Sequence, residues 1–205
     1  MIRGPKEKKE RALGQALQLK GKRCASPKCA VVRRPYRPGQ HGKSRQRALS
    51  DFGRQIREKQ KFKLSYGLDE RNLRELVHRA EKKSGSTVTR ILELLERRLD
   101  NVVFRLGFAP SRAAARQLVV HGHIFVNKKR VRSPGYEVRA QDLISIRKES
   151  LEHVNFKDLK EALKKYDVPS WLQLDPEKLE GRVLSNEPNT VAPFEINLLV
   201  ESFSS

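Results

Sequence analysis

The 35 residues from Arg98 to Arg132, RLDNVVFRLGFAPSRAAARQLVVHGHIFVNKKRVR, admit few folds. They read as a helix ending near Gly107, a short connection, a second helix, and then a strand, a turn and a strand. Ser111 can accept a hydrogen bond from the N–H groups of the second helix's first turn, and Gly122 stands where that helix should stop. At about 100° per residue, Ala114, Ala115, Leu118 and Val119 share one arc. Arg112 and Arg116 lie at one edge of that arc, with Gln117 and His121 further round the polar side. Alanine at 113 to 115 keeps the helix thin, so a large ligand can approach closely. The hairpin tip, Asn127-Lys128-Lys129-Arg130, adds three cations. By itself the tip is ordinary surface charge; beside the Arg112/Arg116 helix it suits a device for holding nucleic acid.

Charge points the same way. The 205 residues carry 44 Lys and Arg against 24 Asp and Glu, a net charge of +20, with pI near 10.3, 33% charged and only 37% hydrophobic residues. At that magnitude the leading partner class is a large polyanion, with an anionic membrane surface a weaker alternative. Residues 1–50 hold 15 Lys and Arg against 2 acids, giving +13, and residues 97–148 hold 12 against 3, giving +9. Residues 51–96 hold 11 against 8, giving +3, whereas 149–205 hold 6 against 11, giving −5. The final quarter therefore faces something other than phosphate. No apolar run approaches the roughly 18–20 residues that span a bilayer. The start, MIRGPKEKKER, lacks the apolar segment of a secretory signal. Two cysteines do not make a disulfide framework, so an intracellular protein is expected.

Residues 1–50 are rich in Gly and Pro and poor in core-forming residues. A helix is expected from about Lys8 to Lys20, ended by Gly21 although Gly14 interrupts it, followed by an irregular basic arm that orders on RNA. Tyr36, between Arg34 and Arg37, puts a flat ring among cations, a mix suited to stacking on bases; an incidental loop tyrosine is equally compatible with the sequence. Three helices follow. The first, 50–67, is capped by Ser50 or Asp51, with Phe52, Ile56 and Lys59 on one side and Arg54, Arg57 and Lys61 opposite. The second runs from about Asp69 to Lys83 on a stripe of Leu73, Leu76, Val77 and Ala80. The third begins at Ser86 or Thr87 and carries Val88, Ile91, Leu92, Leu95 and Leu99. Val138, Leu143, Ile144 and Ile146 read as strand residues around a turn at 140–142, and 155–168 as an amphipathic helix stopped by Pro169. The apolar clusters at 171–174, 179–184 and 196–200 read as strands or extended pieces returning to the helical bundle.

Catalytic patterns are missing from this sequence: there is no GxGxxG, no phosphate-binding Gly-rich loop and no HExxH. Ser111 is a helix cap, not an activated nucleophile. Cys24 and Cys29 with His41 supply three of the four ligands zinc usually takes, and Glu7 and Glu10 are poorer partners for a thiolate site. Two free thiols are the expectation, with no metal and no cofactor.

The blocks RLDNVVFRLGF, SRAAARQLV, HGHIFVN and DLISI resemble the S-four, or alpha-L, RNA-binding module. With RRPYRPGQHG, SDFGRQIREKQKFKLSYG, WLQLD and INLLVESFS they resemble the bacterial type of the ribosomal protein S-four family over nearly the full length. The resemblance implies an α+β fold: a basic N-terminal arm (1–49), a helical domain (50–96, completed by 159–205) and an inserted alpha-L module (97–158). It implies a structural constituent of the small ribosomal subunit that binds rRNA early in assembly, at a multi-helix junction of the 5′ domain. It further implies contact with ribosomal protein S-five, proximity to the channel by which mRNA enters, a role in translational accuracy, a cytoplasmic ribosomal location and no membrane partner. Some family members repress their own operon. The missing transit-like extension points to a bacterial or organelle-encoded origin.

Combining residues and resemblance, the expected RNA-binding set is Arg33, Arg34, Tyr36, His41, Lys43, Arg45 and Arg47 in the arm and Arg54, Arg57, Lys59 and Lys61 on the first bundle helix. In the module it is Ser111, Arg112, Arg116, Gln117, His121, Asn127, Lys128, Lys129 and Arg130. Lys43, Arg45 and Arg47 occupy the loop that the family associates with the mRNA channel. Two departures stand out. Glu7 and Glu10 occupy the places of a first cysteine pair in zinc-bearing members, which again predicts no zinc. Lys128 replaces the glycine common in the hairpin turn; a positive φ there would cost lysine roughly 1–2 kcal/mol, so the turn is expected to differ slightly, with the extra cation offsetting the strain on RNA. The module also accompanies catalytic domains in pseudouridine synthases and tyrosyl-tRNA synthetases, but no catalytic carboxylate or nucleotide loop is visible here. The remaining alternative is a heat-shock or ribosome-rescue factor with the same module.

Overall fold

A left-handed glycine ends the first helix. In the computed structural model, which describes residues 4–45, 48–82, 85–151, 156, 159–185 and 194–204, α1 (Lys6–Leu13) stops at Gly14. The φ of Gly14 is 66°, and its N–H returns to the carbonyl of Arg11 at 3.2 Å. The helix expected to run on to Gly21 is corrected accordingly. Within the supposedly irregular arm lies a one-turn helix, α2 (Ala30–Arg33). Then come α3 (Asp51–Tyr66), α4 (Glu70–Glu81) and α5 (Thr87–Glu96). Ser50 Oγ accepts from Gly53 N at 3.2 Å, so Ser50 is the cap of the two the sequence offered, and Asp69 Oδ1 accepts from Asn72 N at 2.8 Å, capping the next helix. The chain divides into two compact units, Met1–Ile91 with Ala192–Ser205 and Leu92–Val191, the division falling inside α5.

Leu92–Val191 holds α6 (Leu99–Arg105), α7 (Arg112–His121), β1 (Ile124–Val126), β2 (Lys129–Arg130), β3 (Leu143–Ile146), α8 (Leu159–Lys164), β4 (Leu172–Asp175) and β5 (Glu180–Val183). The strands form one antiparallel sheet in the order β2-β1-β3-β5-β4. Ile124 faces Ile146 and Val126 faces Ile144 in the β1–β3 register, which sends all four side chains to the buried face. Against that face lie Val102, Val103, Leu106, Ala115 and Val119 from α6 and α7. The sheet corrects part of the assignment of 159–205 to the helical domain: residues up to Val191 belong to this unit, and only 192–205 go with the helical one. β5 pairs with β3 and β4 with β5, so residues 172–183 complete the sheet instead. Gly181 permits this: a Cβ there would stand 2.4 Å from Leu106 Cδ1, so only glycine lets the strand approach α6. Of the helix expected over 155–168, α8 covers only Leu159–Lys164; Lys165 is a turn and 166–168 are not helical, so the helix ends before Pro169 could stop it, while 152–155 and 157–158 lie outside the described residues.

The other unit closes with α9 (Ile196–Ser204), where the sequence suggested an extended piece. Ile196, Leu199 and Phe203 recur at intervals of three and four, the period of a helix rather than a strand, and the first two are buried. α9 lies along α3. Gln55 Nε2 donates to Glu201 Oε2 at 3.1 Å, the Lys59 ammonium sits 4.8 Å from the Phe203 ring centre, and Phe62 meets Phe194 edge-on at 5.2 Å. The stripe of Leu73, Leu76, Val77 and Ala80 on α4 is buried as its spacing requires, whereas Phe52 of α3 is 66% exposed.

Candidate nucleic-acid interface

α7 buries Ala115 and Val119 and leaves Gln117 and His121 in solvent, with Arg112 and Arg116 half-buried at the edge. Ser111 Oγ accepts from Ala114 N at 3.3 Å, so that hydroxyl serves the helix end and is itself buried. The arginines are held from below. Arg112 Nε donates to Asn101 Oδ1 at 2.7 Å, and its guanidinium lies 4.8 Å from the Phe104 ring centre. Arg116 Nη1 stands 3.6 Å from Asp100 Oδ2, which also accepts Arg98 Nη2 at 2.9 Å. Asn101 Nδ2 donates to Glu96 Oε2 at 2.8 Å, and Arg105 grips the same carboxylate through Nε and Nη2, both at 3.0 Å. Burial disfavours the Glu96 carboxylate, but the Arg105 hydrogen bonds, the Arg105 and Arg112 charges and the Asn101 amide outweigh it and hold its pKa below the ordinary value. Glu96, Asp100 and Asn101 were missed by sequence reasoning. Their signal was there: an Asp-Asn pair between Leu99 and Val102, polar residues where the pattern calls for core.

The hairpin is fastened to the same helix. Asn127 and Lys128 take φ of 50° and 65°, the signature of a type I′ turn. The expectation that the turn would differ slightly is therefore corrected: Lys128 does take the positive φ, in one of the two turn types whose twist matches that of β1 and β2. Asn127 faces inward chemically, its amide donating to Asp142 Oδ1 at 2.7 Å and accepting from Leu143 N at 2.9 Å. Arg130 donates to the carbonyls of Gly122 at 3.1 Å and His121 at 3.0 Å, capping α7 from the strand. Gly122 takes φ of 75°, which strains an L side chain, and a Cβ there would stand 2.2 Å from Arg130 Nε and push that guanidinium off the helix end. Lys128 and Lys129 point their charges to solvent.

In the arm, Arg33, Arg34, His41, Lys43 and Arg45 are exposed, and Arg47 lies outside the described residues. Tyr36 is flanked by cations, the Arg11 guanidinium 5.0 Å and the Lys43 ammonium 5.2 Å from its ring centre. Arg11 Nε also donates to the carbonyls of Arg34 at 2.9 Å and Tyr36 at 3.0 Å, fixing that turn. A groove of about 500 Å³ opens here, lined by Lys8, Arg11, Lys20, Arg34 and Tyr36. On α3 the expected set separates. Arg54 pairs with exposed Asp51, and Arg57 lines a second groove with Leu49 and Ile56. Lys59 is paired with Glu70 at 3.1 Å and Lys61 with Glu58, their side chains only 17% and 15% exposed. Lys59 thus ties α3 to α4, whereas Lys61 is paired within α3.

The zinc chemistry of cysteine-bearing relatives does not fit this arm. Glu7 Oε1 is engaged by Arg23 at 2.8 Å and Lys20 at 3.4 Å, and the Arg23 hydrogen bond lowers its pKa. Glu10 is fully buried, and its Oε1 accepts the N–H groups of Leu17 at 3.0 Å and Leu19 at 3.1 Å. Cys24 and Cys29 are free thiols, the former with its pKa raised by burial. Among the described residues, no three His, Cys, Asp or Glu side chains are placed to hold a metal ion. Glu7 and Glu10 fasten the arm through these bonds.

Held guanidiniums on a thin helix, with a basic hairpin docked against it, suit the binding of a structured polyanion, and the cationic, aromatic arm by itself carries the same chemistry. Comparison with known proteins gives the family. Residues 1–96 match the ribosomal protein S4/S9 N-terminal domain and residues 97–144 the S4 domain. The chain is 48% identical over 193 residues to the small ribosomal subunit protein uS4 of Thermus thermophilus, covering 93% of this chain and 92% of that one. It is equally similar, at 48% over the same shares, to uS4A of Alkaliphilus metalliredigens. Against uS4 of Thermoanaerobacter sp. it is 46% identical over 98% of this chain and 97% of the relative. The chain belongs to the ribosomal protein S4 family.

Proposed function

We propose that this chain is a structural, non-catalytic constituent of the small ribosomal subunit that binds its rRNA. The near full-length similarity to small-subunit proteins, at 48% identity over 93% of the chain, is the observation that carries this reading. The geometry supports it. Arg112, Arg116, Gln117, His121, Lys128 and Lys129 lie on or beside one helix whose two arginines are held from below, while the arm supplies exposed Arg33, Arg34, Lys43 and Arg45. RNA helices offer phosphates, 2′-hydroxyls and shape rather than readable base edges, so recognition is of a folded junction, here one in the 5′ domain. Ser111, Asn127 and Arg130 serve that surface from within by shaping it. Contact with ribosomal protein S-five, a position near the incoming mRNA and an effect on translational accuracy belong to the same reading.

Quantitative sedimentation tests it. The protein should track the small subunit one-to-one across a gradient at moderate salt and remain on it after translation stops. A rescue or heat-shock factor would instead ride on free or stalled large subunits in substoichiometric amounts, and that distribution would overturn the assignment.

A further inference from the structure

Two carboxylates and an amide lie sealed beneath the basic face of Leu92–Val191. Asp100 is 4% exposed, Asn101 1% and Glu96 0%. Buried charges are tolerated when each is paired and hydrogen-bonded, and these are. Asp100 receives Arg98 through two hydrogen bonds, at 3.1 and 2.9 Å, and Arg116 at 3.6 Å. Asn101 receives Arg112 at 2.7 Å on its oxygen and gives its nitrogen to the Glu96 side chain at 2.8 Å and backbone carbonyl at 3.0 Å. Two consecutive residues at the start of α6 thus hold two arginines one turn apart on α7.

We propose that Asp100 and Asn101 are positioning residues that give the α7 face its selectivity for one folded RNA over other RNA of equal charge. The inference rests on the reading of Arg112 and Arg116 as RNA-binding. Their charges alone attract any phosphate chain and release its counterions, whatever its shape. Selectivity needs the guanidiniums to stand at fixed places, so that one arrangement of phosphates meets them without the cost of ordering long side chains on binding. Asp100 and Asn101 impose that order during folding. Removing Asp100's charge leaves every cation in place, so general attraction should persist or rise while discrimination falls.

The test uses the full chain, a folded 5′-domain fragment of small-subunit rRNA, and a scrambled RNA of equal length at the same salt. Asp100→Asn should cut the ratio of folded to scrambled affinity about tenfold, leaving scrambled-RNA binding unchanged or tighter. Asp100→Glu, which keeps the carboxylate, should recover part of that ratio. Arg116→Glu should weaken both RNAs. Equal losses on both RNAs with Asp100→Asn, or a ratio kept at the wild-type value while Arg116→Glu still impairs binding, defeats the positioning role. No effect of Arg116→Glu on either RNA defeats the underlying site reading instead, and the proposal with it. Should Asp100→Asn fail to fold, nitrogen-15 relaxation of the arginine Nε–H groups in the wild-type free protein decides. Arg112 and Arg116 should be as rigid as the backbone, and side chains averaging like exposed lysines would overturn the proposal.

Discussion

Lys128 is the residue at which local backbone preference and ligand chemistry pull apart. Its φ of 65° is a conformation that an L side chain enters at a cost of about 1–2 kcal/mol, and glycine enters freely. Asn127, which precedes it in the turn, tolerates a positive φ and locks the turn through Asp142 and Leu143. The strain is thus imposed by a turn whose first residue is already committed, and Lys128 contributes nothing to the interior in return. Lys128→Gly should raise stability by about 0.5–1 kcal/mol, the relief being partly offset by glycine's greater freedom in the unfolded chain. Urea unfolding should show this as a higher midpoint at unchanged slope. The same variant should bind RNA more weakly, having lost one phosphate partner. A midpoint at or below that of the parent chain would mean that the turn carries no strain worth relieving.

At the level of elements, sequence period and capping chemistry were enough for α3, α4 and α7, whose caps Ser50, Asp69 and Ser111 all form as their side-chain chemistry requires. They also marked 171–174 and 179–184 as strands or extended pieces, which form as β4 and β5, but sent them to the helical bundle instead of the sheet. β4 and β5 are short, and β5 joins through Gly181 to a strand some forty residues earlier, a pairing fixed by the contour of Leu106 rather than by any local pattern. The candidate site divides in the same way. Arg112, Arg116 and the hairpin cations were legible because charge on a helix edge or turn is visible in one dimension. Their supports were not, since a buried Glu96 on α5 and the Asp100-Asn101 pair on α6 acquire meaning only when the fold brings α6 under α7. Glu96 also gives this network a pH signature. Its pKa is lowered in the folded chain, so the stability it contributes is fully present above the ordinary carboxylate value of about 4.5 and is lost as pH falls through the lower folded value. Glu96→Gln should cost about 2 kcal/mol at pH 7, where Arg105 loses its charged acceptor. Thermal unfolding of both chains from pH 7 to pH 3 should show that gap closing below about pH 4.5. A gap that stays constant to pH 3 would assign the cost to packing alone.

Over the whole molecule, charge is distributed in two basic blocks, +13 in residues 1–50 and +9 in 97–148, against −5 in 149–205. The two blocks present their cations differently. In the module the arginines are tethered to Asp100, Asn101 and Glu96, whereas Arg33, Arg34, Lys43 and Arg45 stand exposed on the arm. Tethered cations define a geometry, and exposed cations add attraction with little shape preference. If both blocks engage the rRNA, each should contribute comparably to the salt dependence of binding, because that dependence counts phosphates neutralised and ignores how the cations are held. Replacing Arg33, Arg34, Lys43 and Arg45 with glutamine removes four cations. It should flatten the slope of log affinity against log salt by roughly 3, from about 0.7–0.9 per neutralised phosphate. Replacing Arg112, Arg116, Lys128 and Lys129 should flatten it by a similar amount, and should additionally erase the preference for folded over scrambled RNA that the arm variant retains. A slope unmoved by the arm variant would confine the interface to the module. A folded-RNA preference lost with the arm would move shape recognition there, to the Tyr36 groove.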